Sequence, residues 1–246
     1  LVCCLGGRVI KWDITALTSV SSEASLPVVY DEGSEWVVDI GYAQARTVAS
    51  KKSSSQLLVF SKFPDNFIAI YDYATRQEVW KWDSEFETVF TVDLMRHNEL
   101  IIARCVEHFL IVDSTGGNVV NDVIIPRELY CGEEISVVAA HPIYPCVAVI
   151  VGCSVGILAL TDQYSAANEA ATRRLMGHTA NVSCICLSDC NERLLSGGAD
   201  ETIRVWSVSS WETLFVVAAG DIRSVTYSCH LNHIACCTYE HTKTRI

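Results

Sequence analysis

Residues 196–206 read Ser-Gly-Gly-Ala-Asp-Glu-Thr-Ile-Arg-Val-Trp. They set a serine, an aspartate and a tryptophan at 196, 200 and 206, with Gly177-His178 upstream. Serine, histidine and aspartate make a hydrolytic triad when the serine is exposed, and a buried hydrogen-bonded brace when it is not. Repetition separates the two readings, because a structural group recurs in register and a catalytic one rarely does. Ser61, Asp65 and Tyr71 repeat the spacing without a gap. This points to bracing, with Ser61, Asp65 and Tyr71 as a degenerate copy.

Outward from this stretch the chain repeats itself. Third strands close on Trp12-Asp13, Tyr71-Asp72, Val112-Asp113, Thr161-Asp162 and Trp206, with Gly7 and Gly156 in the preceding turns. A unit of about 40–45 residues holding four short strands is the period of a propeller blade. In the clearest unit the strands are Val182–Leu187, Arg193–Ser196, Thr202–Trp206 and Thr213–Ala218. Turn-forming runs, Ser188-Asp189-Cys190-Asn191 and Gly197-Gly198-Ala199-Asp200, separate the first three. The extra length of the first interval falls in one of two loop-like segments, 21–25 or 51–56. Ala166–Arg174 has the composition of one short helix.

The expected fold is all-β: a β-propeller of four-stranded antiparallel blades. Its approximate divisions are 1–30 (partial), 31–80, 81–125, 126–175, 176–217 and 218–246 (partial). Roughly twenty-two strands make about five and a half blades, short of the roughly 28 strands of a seven-bladed ring. An open ring exposes apolar blade faces, so the chain reads as part of a longer protein.

At 246 residues with half of them apolar, the chain buries a core without help from disulfides or metal. The net charge of −11 disfavours direct binding to nucleic acid or an anionic membrane. Lys51-Lys52 is the nearest approach to a basic patch. The twelve cysteines sit mostly among apolar residues, as in Cys184-Ile185-Cys186, and fit reduced thiols in an intracellular protein, cytoplasmic or nuclear. The run Cys146–Leu160 is too short to span a bilayer and is broken by Gly152 and Gly156; it reads as two buried strands. Cys229, His230, His233, Cys236 and Cys237 have zinc-ligand chemistry, but strand periodicity sets His230 and His233 on opposite faces. Neither a metal nor a cofactor is expected, and no phosphate loop of the GxxxxGK type is present.

Gly177-His178, Leu194-Leu195-Ser196-Gly197-Gly198, Asp200 and Thr202–Trp206 together resemble a WD40 repeat. Asp72-Tyr73-Ala74-Thr75 with Trp80 is similar to the tryptophan-docking repeat of quinoprotein-like propellers, with Arg76 in place of its glycine. That repeat is also structural. The WD40 resemblance implies that His178, Ser196, Asp200 and Trp206 form a buried tetrad. It also implies a partner-binding rim just before each blade's first strand, at Glu35, Thr88, Glu134, Asn181 and Asp221, with Ala199 and Pro64 before the turn aspartates. The expected function is a non-enzymatic scaffold for protein–protein interaction within an assembly, with other proteins as partners. Three acidic rim residues raise the option of basic peptides. The alternative is a propeller-borne hydrolase or metal-dependent enzyme using Ser196 or the 229–237 cluster.

Overall fold

The structure, a computed structural model, describes residues 2–5, 8–11, 36–39, 45–50, 56–61, 66–72, 75, 77–83, 89–95, 99–130, 133–141, 144–161, 172–188, 192–228 and 232–239. Two compact units, Leu1–Val89 and Phe90–Ile246, make up the chain.

In the first unit, β1 (Val2–Leu5), β2 (Arg8–Lys11) and β3 (Trp36–Asp39) form a three-stranded antiparallel sheet. A four-stranded sheet follows: β4 (Ala45–Ser50), β5 (Gln56–Ser61), β6 (Phe67–Asp72) and β7 (Gln77–Asp83), in that order. This pairing corrects the expected division at residue 30. Trp36–Asp39 belongs to the first sheet, against β2, and the next sheet opens at Ala45. Thr75 N–H donates to the Asp72 carboxylate at 3.2 Å in the β6–β7 turn, so the aspartate of the quinoprotein-like stretch orders a hairpin.

Among the described residues the second unit holds three four-stranded antiparallel sheets and a two-stranded one. The first is β8 (Thr91–Met95), β9 (Leu100–Arg104), β10 (His108–Asp113) and β11 (Val119–Ile124). The second is β12 (Ile135–Ala140), β13 (Cys146–Val151), β14 (Ser154–Ala159) and β15 (Thr172–Leu175). The third is β16 (Val182–Leu187), β17 (Arg193–Gly198), β18 (Thr202–Ser207) and β19 (Thr213–Ala218). The two-stranded sheet is β20 (Asp221–Ser228) and β21 (His233–Tyr239). Leading strands pack side by side: β8 on β12, β12 on β16, β16 on β20. This is the architecture of β-propeller blades.

Packing explains why the middle strands lack an apolar–polar alternation. A sheet covered on both faces needs apolar residues at every position. Accordingly β9 is buried throughout, and in β13 five of six residues are buried. The outer strand β11 is mostly exposed and β19 wholly so. Three cores lie between successive sheets. Phe109, Ile111 and Val149 belong to the first, Leu194, Ile157 and Trp206 to the second, Ile203, Val205 and Ile222 to the third. Each fully buried side chain of this size contributes about 1.5–3 kcal/mol. A polar tie crosses the first interface: Asp93 on β8 accepts Ala140 N–H at 2.9 Å. Burial pushes its carboxyl up to about 6, against the lowering effect of the Ala140 and Leu94 N–H groups.

The stretch Cys146–Leu160 forms the β13–β14 hairpin with Gly152-Cys153 at its turn. Gly156 therefore lies inside β14, opposite Val149, rather than in the turn as its place in the repeat suggested. It is needed there for clearance, since a Cβ would come within 2.8 Å of Leu129 Cδ1. Leu129 is fully buried and comes from α1 (Arg127–Tyr130), a single turn that the sequence reading missed. Of the helix expected over 166–174, residues 166–171 lie outside the described residues. Thr172-Arg173-Arg174 is strand, paired to β14. Among the described residues no helix is long and apolar enough to cross a membrane.

Candidate functional site

The four residues that opened the sequence reading meet in one network. Gly177-His178 lies in the β15–β16 connection, Asp200 in the β17–β18 turn, Ser196 on β17 and Trp206 on β18. Antiparallel pairing of Leu194 with Trp206 leaves Ser196 one pleat further along, on the same face. Trp206 Nε1–H donates to Ser196 Oγ at 2.8 Å, and Ser196 Oγ lies 2.8 Å from His178 Nε2. His178 Nδ1 lies 2.9 and 3.0 Å from the two Asp200 oxygens.

An indole nitrogen only donates, so the Ser196 hydroxyl accepts from Trp206. An ionised carboxylate only accepts, so His178 Nδ1–H donates to Asp200. Asp200 accepts three further bonds, from Thr179 N–H at 3.0 Å, Thr202 N–H at 3.1 Å and Thr202 Oγ at 2.8 Å. Every group facing it donates, which requires the ionised carboxylate. Burial by itself raises its pKa. The Thr202 hydroxyl, His178 and the Thr179 N–H outweigh that effect and hold it at about 2.

Sequence reading named four members of this network and missed Thr202 and Thr179. The signal for Thr202 was present: Asp200 two residues before a threonine is the spacing of a side-chain-capped turn. Gly198 belongs to the same turn. A Cβ there would sit 3.0 Å from His178 Nδ1 and 3.1 Å from Asp200 Oδ1, which accounts for the glycine after Ser196-Gly197.

Ser196 is fully buried and Trp206 is 2% exposed. The Ser196 hydroxyl is enclosed and engaged by Trp206 and His178, the opposite of a nucleophile held open on a strained turn. The hydrolase reading loses its serine on this geometry. Cys229 and His230 of the second alternative lie outside the described residues. Among the described residues no group of three or more His, Cys, Asp or Glu side chains is arranged to hold a metal ion.

The degenerate copy is not assembled in the same way. Leu57 faces Tyr71 across β5–β6 and Ser61 faces Phe67, so Ser61 lies four residues beyond the partner of Tyr71. Ser196 lies two residues beyond the partner of Trp206. Residues 62–66 separate β5 from β6, whereas 199–201 separate β17 from β18. The longer connection changes the register although the sequence spacing is identical. Tyr71 Oη donates instead to Glu78 on β7, at 3.1 Å. Asp65 lies outside the described residues.

Of the rim positions, Asn181 and Glu134 are exposed. Asn181 C=O accepts Ala199 N–H at 2.9 Å, which sets the two exposed residues side by side above the tetrad. Asp221 differs from a free acidic rim residue. It opens β20, its side chain is only 14% exposed, and Arg223 donates to it at 3.0 Å. Glu133, next to Glu134, faces Arg174 at 3.6 Å. Glu35, Thr88 and Pro64 lie outside the described residues.

Successive four-stranded antiparallel sheets, with a buried His–Ser–Asp–Trp brace in one of them, define a repeat protein of the β-propeller type. Residues 170–207 match the family described as WD domain, G-beta repeat. It is 41% identical over 56 residues to transducin-like enhancer protein 2 of Mus musculus and, equally, to Protein groucho of Drosophila melanogaster. Over 49 residues it is 31% identical to U3 small nucleolar RNA-associated protein 15 of Schizosaccharomyces pombe. The matched stretches cover 23% of this chain in the first two cases and 20% in the third. They span 7% of each of the first two relatives and 10% of the third.

Proposed function

We propose that the chain is a non-enzymatic scaffold of an intracellular assembly, engaging other proteins at the end of its sheets where the tetrad lies. One observation carries this reading. The tetrad consumes every polar group of the serine, histidine, aspartate and tryptophan internally, which makes the end of β16–β19 rigid and leaves Asn181, Ala199 and Glu201 outward. A rigid element presenting exposed loop residues is a platform for recognition, since little ordering entropy is lost on binding. The WD-repeat match over residues 170–207 supports the same reading, because WD40 proteins bind other proteins. The name of the fission-yeast relative describes association with a small nucleolar RNA. With a net charge of −11, this chain is better suited to meet a protein partner than the RNA itself.

Exposed Glu134 and Glu201, on a strongly acidic chain, favour Lys- or Arg-rich partner segments. Reversing Glu134 to lysine is the informative change, because Asp221 is already paired with Arg223 and its reversal would also disturb β20. Glu134→Lys is expected to weaken capture of a lysine-rich peptide about threefold to tenfold, with a smaller salt dependence. Fluorescence anisotropy at two ionic strengths measures both. Binding that is indifferent to the charge at 134 removes the basic-peptide reading.

A further inference from the structure

At the opposite end of the same sheets, a cavity of about 810 Å³ opens between β12–β15 and β16–β19. It is bordered by Tyr144, Pro145 and Glu192 and by the β18–β19 hairpin, whereas the tetrad belongs to the β17–β18 end. Ile157 and Leu160 contribute an apolar floor. Tyr144, 60% exposed, and Leu214, 51% exposed, stand at its mouth beside Trp211.

Trp211 has a left-handed backbone, φ 60°. Its N–H donates to Ser207 C=O at 2.8 Å, closing a hairpin position that glycine or asparagine ordinarily fills. A bulky aromatic there is a true outlier, and such outliers cluster at binding sites. Charge gives a second, independent indication. In a chain of net charge −11, the described residues of this lip carry Arg173 and Arg193 against one acidic residue, Glu192. Arg193 is partly committed, donating to Tyr227 Oη at 2.9 Å, while Arg173 is exposed.

We infer that this groove is a second docking site, one that takes a linear peptide carrying an aromatic or branched aliphatic residue next to Asp or Glu. The apolar side chain enters between Tyr144, Trp211 and Leu214, and the carboxylate pairs with Arg173. The groove size suits such an anchor, and aromatic and arginine side chains are the usual hot spots of peptide recognition. The Cys146 thiol in the wall is pushed up to about 12 by burial, so it stays protonated and the site binds without a thiolate nucleophile.

The test pans a random heptapeptide phage library against the wild-type chain, then titrates the enriched synthetic peptide into wild type, Arg173→Glu and Trp211→Gly. Enrichment of acidic–aromatic or acidic–aliphatic sequences is expected, with affinity lost about tenfold or more in each variant. Trp211→Gly relieves the left-handed strain but gives up packing on the core between the two sheets, so its Tm is measured alongside, and Arg173→Glu, at an exposed side chain, carries the test if that Tm falls. Glu134→Lys is expected to leave this affinity unchanged, which separates the groove from the rim. Four outcomes overturn the inference. They are no enrichment, enrichment of basic peptides only, affinity unchanged in Arg173→Glu, and a dimer by sedimentation that Trp211→Gly dissociates.

Discussion

Asp200→Ala is expected to lower unfolding stability by about 3–5 kcal/mol, the usual cost of removing one partner from a buried charged network. The substitution strips an acceptor from the Thr179 and Thr202 N–H groups, the Thr202 hydroxyl and His178 Nδ1–H together. None of these donors has an easy replacement, because the Asp200 side chain they surround is 4% exposed. The same variant changes the acid limb of stability. Asp200 has a folded-state pKa of about 2, below its unfolded value near 3.9. Its contribution is therefore full above about pH 4 and is lost as pH falls through the folded value of about 2. Wild type should shed about 2 kcal/mol between these limits from this group alone, and Asp200→Ala should not. Thermal melts followed by circular dichroism from pH 2 to pH 7 measure both effects. Coinciding melting curves for the two proteins across that range would contradict the bracing role.

Trp206→Ala is expected to cost about 3–5 kcal/mol, the range for deleting a large buried aromatic. Trp206 is 2% exposed and lies in the core between the β12–β15 and β16–β19 sheets, with Ala148, Ile150 and Leu194. Trp206→Phe separates packing from hydrogen bonding. It keeps most of the apolar contact and loses the indole N–H that Ser196 accepts, for about 1–2 kcal/mol. Urea denaturation at neutral pH gives both values. A Trp206→Ala change below about 1 kcal/mol would mean that the indole is not a keystone of the inter-sheet core.

Much of this fold was legible because turn chemistry and apolar runs punctuate the chain at a regular period. In β16–β19 the strand reading differs from the structure only in the ends of β17 and β18. The tetrad was legible for a related reason, since its members lie in one repeat whose short turn preserves the spacing. What failed did so on register and on pairing, which sequence spacing does not encode. Ser61 and Tyr71 keep the interval of Ser196 and Trp206, yet a longer connection sets them out of step. Trp36–Asp39 is a short apolar strand with nothing local to say that it closes the first sheet rather than opening the second. Asp221 looked like a free carboxylate because its neutralising partner, Arg223, sits two residues on and lies on the same side of the strand. Trp211 gave no signal at all. Only backbone geometry reveals a tryptophan in a glycine-like conformation.

The bracing role of the tetrad is tested most directly by hydrogen exchange at the Trp206 indole N–H, followed by NMR in wild type and in Ser196→Ala. With the indole held by a fully buried serine, exchange is expected to require opening of the β16–β19 sheet, and to accelerate when Ser196 is replaced. Exchange at the rate of a free indole in the wild-type protein, unchanged by Ser196→Ala, would contradict it.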